Sequence, residues 1–140
     1  MIVLDTNVLS ELMKPVPADH VMGWIASKTA TSLYTTSITR AEILHGILLL
    51  PSGKRRKSIE QAAEAMFDED FAGRILPFAG DAAAFYAEIA AERHRRGQPI
   101  SHFDAQIAAI SRATGATLAT RNVSDFTHCG IEMVNPWSHS

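Results

Sequence analysis

The chain has little of what would place it outside the cell or in a membrane. It holds one cysteine, Cys129, in 140 residues, so it cannot form an intramolecular disulfide or a zinc site made of thiolates. The aliphatic run at residues 47–50 is far shorter than the roughly 20 residues that cross a bilayer. No signal-peptide pattern precedes the first apolar run, which begins at Ile2. We therefore expect a cytoplasmic protein with no membrane contact.

An excess of charge of one sign is also lacking. The chain has 13 basic and 15 acidic residues, a formal net charge of −2, so no overall positive field draws it to nucleic acid. Aromatic residues make up 7%, which argues against a platform that stacks single-stranded bases. Two basic clusters, residues 54–57 and 93–96, could bind phosphates. Such clusters are usually solvated helix faces, and the second also suits a helix C-terminus.

What the chain does contain is typical of an ordinary globular domain. Hydrophobic residues make up 46% and charged residues 20%, and the length suits a single domain covering residues 1–140. Short apolar runs alternate with helical patterns along the chain. This alternation predicts an α/β fold with a central parallel sheet of about four to five strands, flanked by helices.

The expected elements can be assigned from apolar spacing, β-branched runs and helix breakers. Strands are predicted at residues 2–4, 33–36, 75–77, 117–119 and 132–134, and helices at residues 8–14, 18–27, 40–50, 54–67, 82–96 and 101–114. Pro77 should restrict its strand to an edge or an end, and Asp81 is a candidate cap for the fifth helix.

Acidic side chains lie where these strands end and these helices begin. Asp5 ends the first apolar run, Glu42 and Asp104 lie near predicted helix starts, and Asp125 or Asn122 follows the fourth strand. Ligands of open α/β sheets bind beyond the carboxyl ends of the strands, so we expect these side chains to converge.

Two of these acids have a structural interpretation as well. Thr39 with Glu42 and Ser101 with Asp104 match the spacing of a capping box, in which the acid binds back to the start of its helix. Helix N-termini also stabilise ionised acids, so capping and metal ligation are compatible. A buried carboxylate without a cation costs several kcal/mol, so convergent acids with no matching lysine imply a metal. Oxygen ligands suit Mg²⁺ or Mn²⁺.

Five segments, taken in this order and spacing, resemble a known family. They are residues 4–11 (Leu-Asp-Thr-Asn-Val-Leu-Ser-Glu), 39–46 (Thr-Arg-Ala-Glu-Ile-Leu-His-Gly), 100–108 (Ile-Ser-His-Phe-Asp-Ala-Gln-Ile-Ala), 119–126 (Ala-Thr-Arg-Asn-Val-Ser-Asp-Phe) and 135–137 (Asn-Pro-Trp). Over nearly its whole length the chain resembles the PIN-domain family, and more narrowly the VapC-like toxins that include the FitB-type plasmid-stability proteins.

The resemblance implies a function. It implies a metal-dependent ribonuclease that hydrolyses RNA phosphodiester bonds, acts as the toxin of a toxin–antitoxin pair, forms a homodimer and is inhibited by a DNA-binding antitoxin of the VapB or FitA kind. In this family Asp5, Glu42 and Asp104 correspond to the acidic metal-site positions, and Thr6 and Asn7 to the polar residues beside the first acid. The sequence does not identify the RNA.

One position departs from the family pattern. The fourth acid commonly follows Thr-Arg, yet Asn122 follows Thr120-Arg121 here, and Asp125 comes three residues later. Asn122 could bind substrate or a water on the metal while Asp125 supplies the charge, with Thr120 as a polar neighbour. The alternative is a weak or inactive PIN module that binds RNA or antitoxin without cleavage. A haloacid-dehalogenase-like phosphatase would need a second acid at Asn7.

Overall fold

The computed structural model describes residues 1–138, which form five strands and six helices. The strands are β1 (Ile2–Leu4), β2 (Leu33–Thr36), β3 (Ile75–Leu76), β4 (Thr117–Ala119) and β5 (Met133–Val134). The helices are α1 (Thr6–Leu12), α2 (Asp19–Ala26), α3 (Ser37–Leu48), α4 (Lys54–Ala65), α5 (Asp81–Arg95) and α6 (His102–Thr114). The predicted elements are all present, and their bounds differ by a few residues.

The strands form one parallel sheet in the order β3-β2-β1-β4-β5. The predicted α/β class and parallel sheet are therefore confirmed. β1 lies at the centre, hydrogen-bonded to β2 on one side and β4 on the other, which explains why its sequence is continuously apolar. β3 lies at an edge and is followed by Pro77, as predicted.

Successive residues of the central strands enter two different apolar layers, because strand side chains alternate between the faces of a sheet. Val3 and Leu118 pack in the layer that contains α5 and α6. Leu4 and Ala119 pack in the layer that contains α1, α3 and α4. Helices on both faces leave the carboxyl edge of the sheet as the place where polar side chains from separate elements can meet.

The helix starts show why two sequence interpretations need correction. α3 begins at Ser37, and Thr36 is its cap, since the Thr39 backbone N–H donates to Thr36 Oγ1 at 3.0 Å. The capping box expected at Thr39 is therefore wrong, and Glu42 lies one turn further into the helix. Asp81 is the first helical residue of α5 and does not cap it, because Gly80 holds the cap position.

The capping role expected of Ser101 is confirmed. Ser101 caps α6, because the Asp104 backbone N–H donates to its hydroxyl at 3.1 Å. Gly115 ends α6 in the left-handed conformation, with φ of 68°, which glycine adopts without strain. Cys129 is buried. None of the helices in residues 1–138 has the length and hydrophobicity of a membrane span.

Candidate active site

A pocket of about 400 Å³ lies beyond the carboxyl ends of β1 and β4. Asp5, Glu42, Asp104 and Asp125 all line it, and so do the polar residues Thr6, Asn7 and Asn122. The predicted site residues are therefore brought together, with Thr120 buried directly behind Asp5. The four carboxylates come from segments up to 120 residues apart in sequence, as positions 5 and 125 show, so the fold alone assembles the pocket.

Asp5 is the most firmly held of these acids. It caps α1 directly after β1, and its Oδ1 accepts from the Thr6 backbone N–H at 2.8 Å. Its Oδ2 accepts from the Thr120 hydroxyl at 2.8 Å and from Asn7 Nδ2 at 3.3 Å. Both carboxylate oxygens are thus oriented by the chain, and the side chain has little freedom to turn away from the pocket.

Ionising the Asp5 side chain in this buried position costs free energy. Burial raises its pKa from 3.8 to about 6, the hydrogen bonds from Thr120 and Thr6 oppose that rise, and the negative charges of Asp104 and Glu42 add to it. Asp5 is 5% exposed, so water does little to screen this interaction. The site therefore disfavours the ionised carboxylate in the absence of a nearby cation.

Glu42 is positioned by the first turn of α1. The Thr6 hydroxyl donates to Glu42 Oε1 at 2.8 Å and lies 3.1 Å from Thr39 Oγ1. Partial burial raises the pKa of Glu42, the Thr6 hydrogen bond lowers it, and Asp104 raises it further. Thr6 thus connects two of the acid-bearing elements, because its backbone N–H binds Asp5 while its side chain binds Glu42.

Asp104 lies in the first turn of α6 and is half-exposed. Burial raises its pKa, the Ser101 hydroxyl opposes the rise, the charge of Asp125 raises it, and the cation of Arg93 lowers it. The charge state of Asp104 therefore depends on Asp125, which lies in the loop that follows β4, and on buried Arg93.

That loop carries both candidates for the fourth position. Thr120 Oγ1 accepts from the Asn122 backbone N–H at 3.1 Å, and a 3₁₀ turn spans Val123–Phe126. Asn122 and Asp125 are exposed, and both line the pocket. The loop thus presents an amide and a carboxylate to the same space, so Asp125 does not point away from the pocket.

Arg93 supports this loop, and the sequence interpretation missed it. Its side chain is 6% exposed and donates to the Gln98 carbonyl at 2.6 Å, the Asp125 carbonyl at 2.7 Å and the Thr127 carbonyl at 3.1 Å. It is not a solvated cation at a helix end. The signal was its spacing, four residues after buried Ile89, which places it on the inner face of α5.

None of the other members of the basic clusters lines the acidic pocket. Arg95 and Arg96 pair with Glu92 along α5 at 3.8 and 2.8 Å, and Arg56 pairs with Glu60 at 2.9 Å. Arg55 lines a neighbouring groove of about 630 Å³ that shares Thr6 and Glu42 with the pocket. The cluster at residues 54–57 is thus next to the pocket but not part of it.

The carboxylate oxygens of this pocket are the type of ligand that a hard divalent cation prefers, and they share one space. The four predicted carboxylates and a fifth, Glu11, line one pocket. Repulsion among the predicted four adds to the effect of burial in raising the pKa values of Asp5, Glu42 and Asp104. As they stand, no three acidic, histidine or cysteine side chains within residues 1–138 form a group that could hold one ion. The residues therefore fit a Mg²⁺ or Mn²⁺ site by oxygen type and shared pocket, not by a closed ligand shell.

These features define an α/β domain with an acidic pocket at the carboxyl edge of its parallel sheet. The family model described as the PIN domain matches residues 2–128. The chain is 42% identical over 137 residues to VapC ribonuclease Y4jK of Sinorhizobium fredii, covering 98% of each protein. It is 38% identical over 137 residues to toxin FitB of Neisseria gonorrhoeae, covering 98% of this chain and 99% of that protein.

A solved structure agrees with these sequence comparisons. A chain in the structure of FitAB bound to an IR36 DNA fragment superposes with a TM-score of 0.92 at 37% identity, covering 100% of this chain and 98% of that one. The chain belongs to the PIN-domain family, and its relatives there include these VapC and FitB proteins.

Proposed function

We propose that this chain is a divalent-metal-dependent endoribonuclease, the toxin of a VapBC-type toxin–antitoxin pair that its cognate antitoxin inhibits. The observation that carries the proposal is the convergence of four carboxylates from separate elements on one pocket. The name of the Sinorhizobium fredii relative, a VapC ribonuclease, supports the reaction class. Toxin FitB and the FitAB structure support an antitoxin of the FitA type as partner. Assembly into a homodimer stays a prediction.

The chain's own residues would divide the work as follows. Asp5, Glu42, Asp104 and Asp125 would hold Mg²⁺ or Mn²⁺, while Thr120 and Thr6 keep Asp5 and Glu42 aimed into the pocket through hydrogen bonds. When bound, such an ion lowers the pKa of a coordinated water and stabilises charge on the phosphate. In the hydrolysis, a water oxygen bonds to phosphorus as the bond from phosphorus to the leaving oxygen breaks.

Asn7 and Asn122 serve the same pocket without carrying charge. Asn7 donates to Asp5 and accepts from the Arg121 backbone N–H at 3.2 Å, so it joins the segments that follow β1 and β4. Asn122 offers an amide that can donate to a phosphate oxygen. The inactive module was suggested by Asn122 in place of the fourth acid. Asp125 lines the pocket and can supply that missing charge, which favours an active enzyme.

The direct test is cleavage of total RNA by purified, antitoxin-free protein with Mg²⁺ or Mn²⁺, and with EDTA in place of metal. Asp104→Asn keeps the helix cap and size but removes a charge, and should lower the rate at least about 100-fold, the upper end of what loss of an outer-shell partner causes. Asp81→Asn is the matched control, since Asp81 is an exposed aspartate in the first turn of α5 and should leave the rate unchanged.

The outcomes separate the two functions. Discrete fragments that vanish with EDTA and with Asp104→Asn support the metal nuclease. If the wild type binds metal and antitoxin but leaves every RNA intact, the inactive binding module replaces it. Cleavage that persists in Asp104→Asn would mean that the pocket is not the active site.

A further inference from the structure

Two basic residues, Lys14 and Arg121, line the acidic pocket. They differ in how their charges are used. Lys14 Nζ lies 2.8 Å from Glu11 Oε1, and this contact is the main cause of the lowered pKa of Glu11. Arg121 forms no ion pair at contact distance with any acid in residues 1–138, although five carboxylates share its pocket. From further away its charge makes a small contribution to the lowered pKa of Glu11. No carboxylate of the described residues occupies its guanidinium at contact distance, so that group can bind an anion from outside the chain.

Arg121 is nevertheless held in place. Its backbone N–H donates to Asn7 Oδ1 at 3.2 Å, and its carbonyl accepts from Asn135 Nδ2 at 3.3 Å. The guanidinium carbon lies 5.0 Å from the centre of the Trp137 ring, within the range of a cation–π contact. Asn135 Oδ1 in turn accepts from the Trp137 backbone N–H at 2.9 Å. Arg121 is thus exposed, but hydrogen bonds hold its backbone and the Trp137 ring supports its side chain.

An RNA strand entering this pocket meets a specific electrostatic problem. Its phosphates are repelled by the carboxylates of the pocket, and a fixed cation at the rim can hold the strand without neutralising those acids. Arginine suits this role, because its planar fork binds phosphate oxygens bidentately and its other face can rest on an aromatic ring. Trp137 keeps the guanidinium over its ring, where it makes no ion pair with the acids.

We propose that Arg121, supported by Trp137, is a phosphate-binding residue that holds the RNA strand at the edge of the acidic pocket, next to the bond to be cleaved. The inference rests on the proposed ribonuclease function for its substrate, but it concerns binding and not the chemical step. It assigns to Arg121 the attraction that a chain of net charge −2 lacks overall.

The proposal makes a quantitative prediction about salt. Each phosphate neutralised on a single strand contributes about 0.7 to the slope of log affinity against log salt concentration. Arg121→Gln should therefore flatten that slope by about 0.7 and weaken binding roughly tenfold, the loss expected for a charged hydrogen bond. Arg121→Lys should keep the slope and lose part of the affinity, because lysine retains the charge but not the fork.

The test measures binding apart from cleavage. A fluorescein-labelled single-stranded oligoribonucleotide of mixed sequence is titrated by anisotropy at several salt concentrations, in the Asp104→Asn background so that it stays intact. Lys28→Gln is the matched control. Lys28 Nζ lies 5.4 Å from the centre of the Trp24 ring, so the change removes the same charge from a cation on a tryptophan that does not line the pocket. Thermal unfolding confirms that each variant is folded.

Each result decides between the possibilities. A slope that flattens for Arg121→Gln and not for Lys28→Gln supports the proposal, as does a raised KM with unchanged kcat in the cleaving enzyme. Equal slopes for Arg121→Gln and its parent overturn the proposal, even if the wild type cleaves RNA. If RNA binds through Arg121 but is never cut, the proposed ribonuclease function fails while this inference stands. If the oligoribonucleotide does not bind at all, the inference fails.

Discussion

Asp5→Asn should make the metal-free protein more stable at neutral pH, although it removes a residue of the proposed active site. The reason is the buried charge. Asp5 is 5% exposed, and its pKa is raised to about 6, first by burial. Asparagine has the same shape and no charge, and its Oδ1 can still accept from the Thr6 backbone N–H that Asp5 binds at 2.8 Å.

The sign and size of the effect follow from the two protonation equilibria. Below pH 3.8 the folded and unfolded chains both hold the proton on Asp5, so charge costs nothing. As the pH rises from there to about 6, the unfolded chain releases the proton and the folded chain keeps it, so the free energy of unfolding falls. Above that window the full cost is present, about 3 kcal/mol at about 1.4 kcal/mol per pH unit.

The net gain in the variant should be smaller than this cost. Asparagine would put its Nδ2 where Asp5 Oδ2 now accepts from the Thr120 hydroxyl at 2.8 Å and from Asn7 Nδ2 at 3.3 Å. The hydroxyl can turn to accept instead, whereas the hydrogen bond from Asn7 is lost at a cost of about 1 kcal/mol. We therefore expect Asp5→Asn to raise the free energy of unfolding by about 1–2 kcal/mol at pH 7. At pH 4 the gain should vanish or change sign, because Asp5 is then protonated in the folded protein.

Urea unfolding at pH 4, 5, 6 and 7 without divalent metal measures this difference, and repeating it with Mn²⁺ measures metal binding through the added stability. The wild type should gain stability with Mn²⁺ and the variant should not. The reasoning is refuted if the difference in the free energy of unfolding between Asp5→Asn and the wild type is the same at pH 7 as at pH 4. Asp81→Asn, an exposed control on α5, should change by less than about 0.5 kcal/mol at each pH.

Three further predictions concern the residues around the acids. Arg93→Met should lower the free energy of unfolding in urea by about 3 kcal/mol, since three carbonyls lose a charged donor, whereas exposed Arg95→Met should change it little. Ser101→Ala should cost about 1 kcal/mol by loss of the α6 cap, and Ser101→Asn should restore it; equal loss in both would contradict the capping role. Asn122→Asp should tighten Mn²⁺ binding in calorimetry, and weaker binding would mean that the pocket already carries more negative charge than one ion offsets.

The fold was largely predictable because its signals are local. The apolar run of β1, the β-branched run of β2 and the glycine after α6 each predict an element without knowledge of the rest of the chain. The predicted helix starts were less accurate, because two residues that could each cap a helix can lie within three residues of each other. Thr36 and Thr39 are both good caps by type, and only the strand that ends at Thr36 decides between them.

The acidic residues of the site could be predicted from the sequence, but the two arginines beside them, Arg93 and Arg121, could not. Asp5 follows a strand and Asp104 lies in the first turn of a helix, positions that the sequence marks, whereas Glu42 lies deeper in α3 than its spacing from Thr39 suggested. Arg93 and Arg121 are marked only as positive charges, and their roles depend on which carbonyl, ring or carboxylate the fold places beside them. The spacing of Arg93 from Ile89 could have placed it on the inner face of α5, but the Asp125 carbonyl that it binds lies 32 residues later, a partner that only the tertiary structure reveals.

The acids of the pocket differ in how freely they can move, and this difference bears on how the site would take up a metal. Asp5 is fixed by donors on both oxygens, whereas Asp104 is half-exposed and Asp125 lies on a short exposed turn. Burial and, after it, repulsion among these acids raise the pKa of Asp5 and Asp104. A cation would remove that repulsion, so we expect the more exposed carboxylates to move towards the one that is held by hydrogen bonds. Metal binding and stability should therefore rise together, and a variant that relieves the repulsion by neutralising one acid should lose the metal response in the same step.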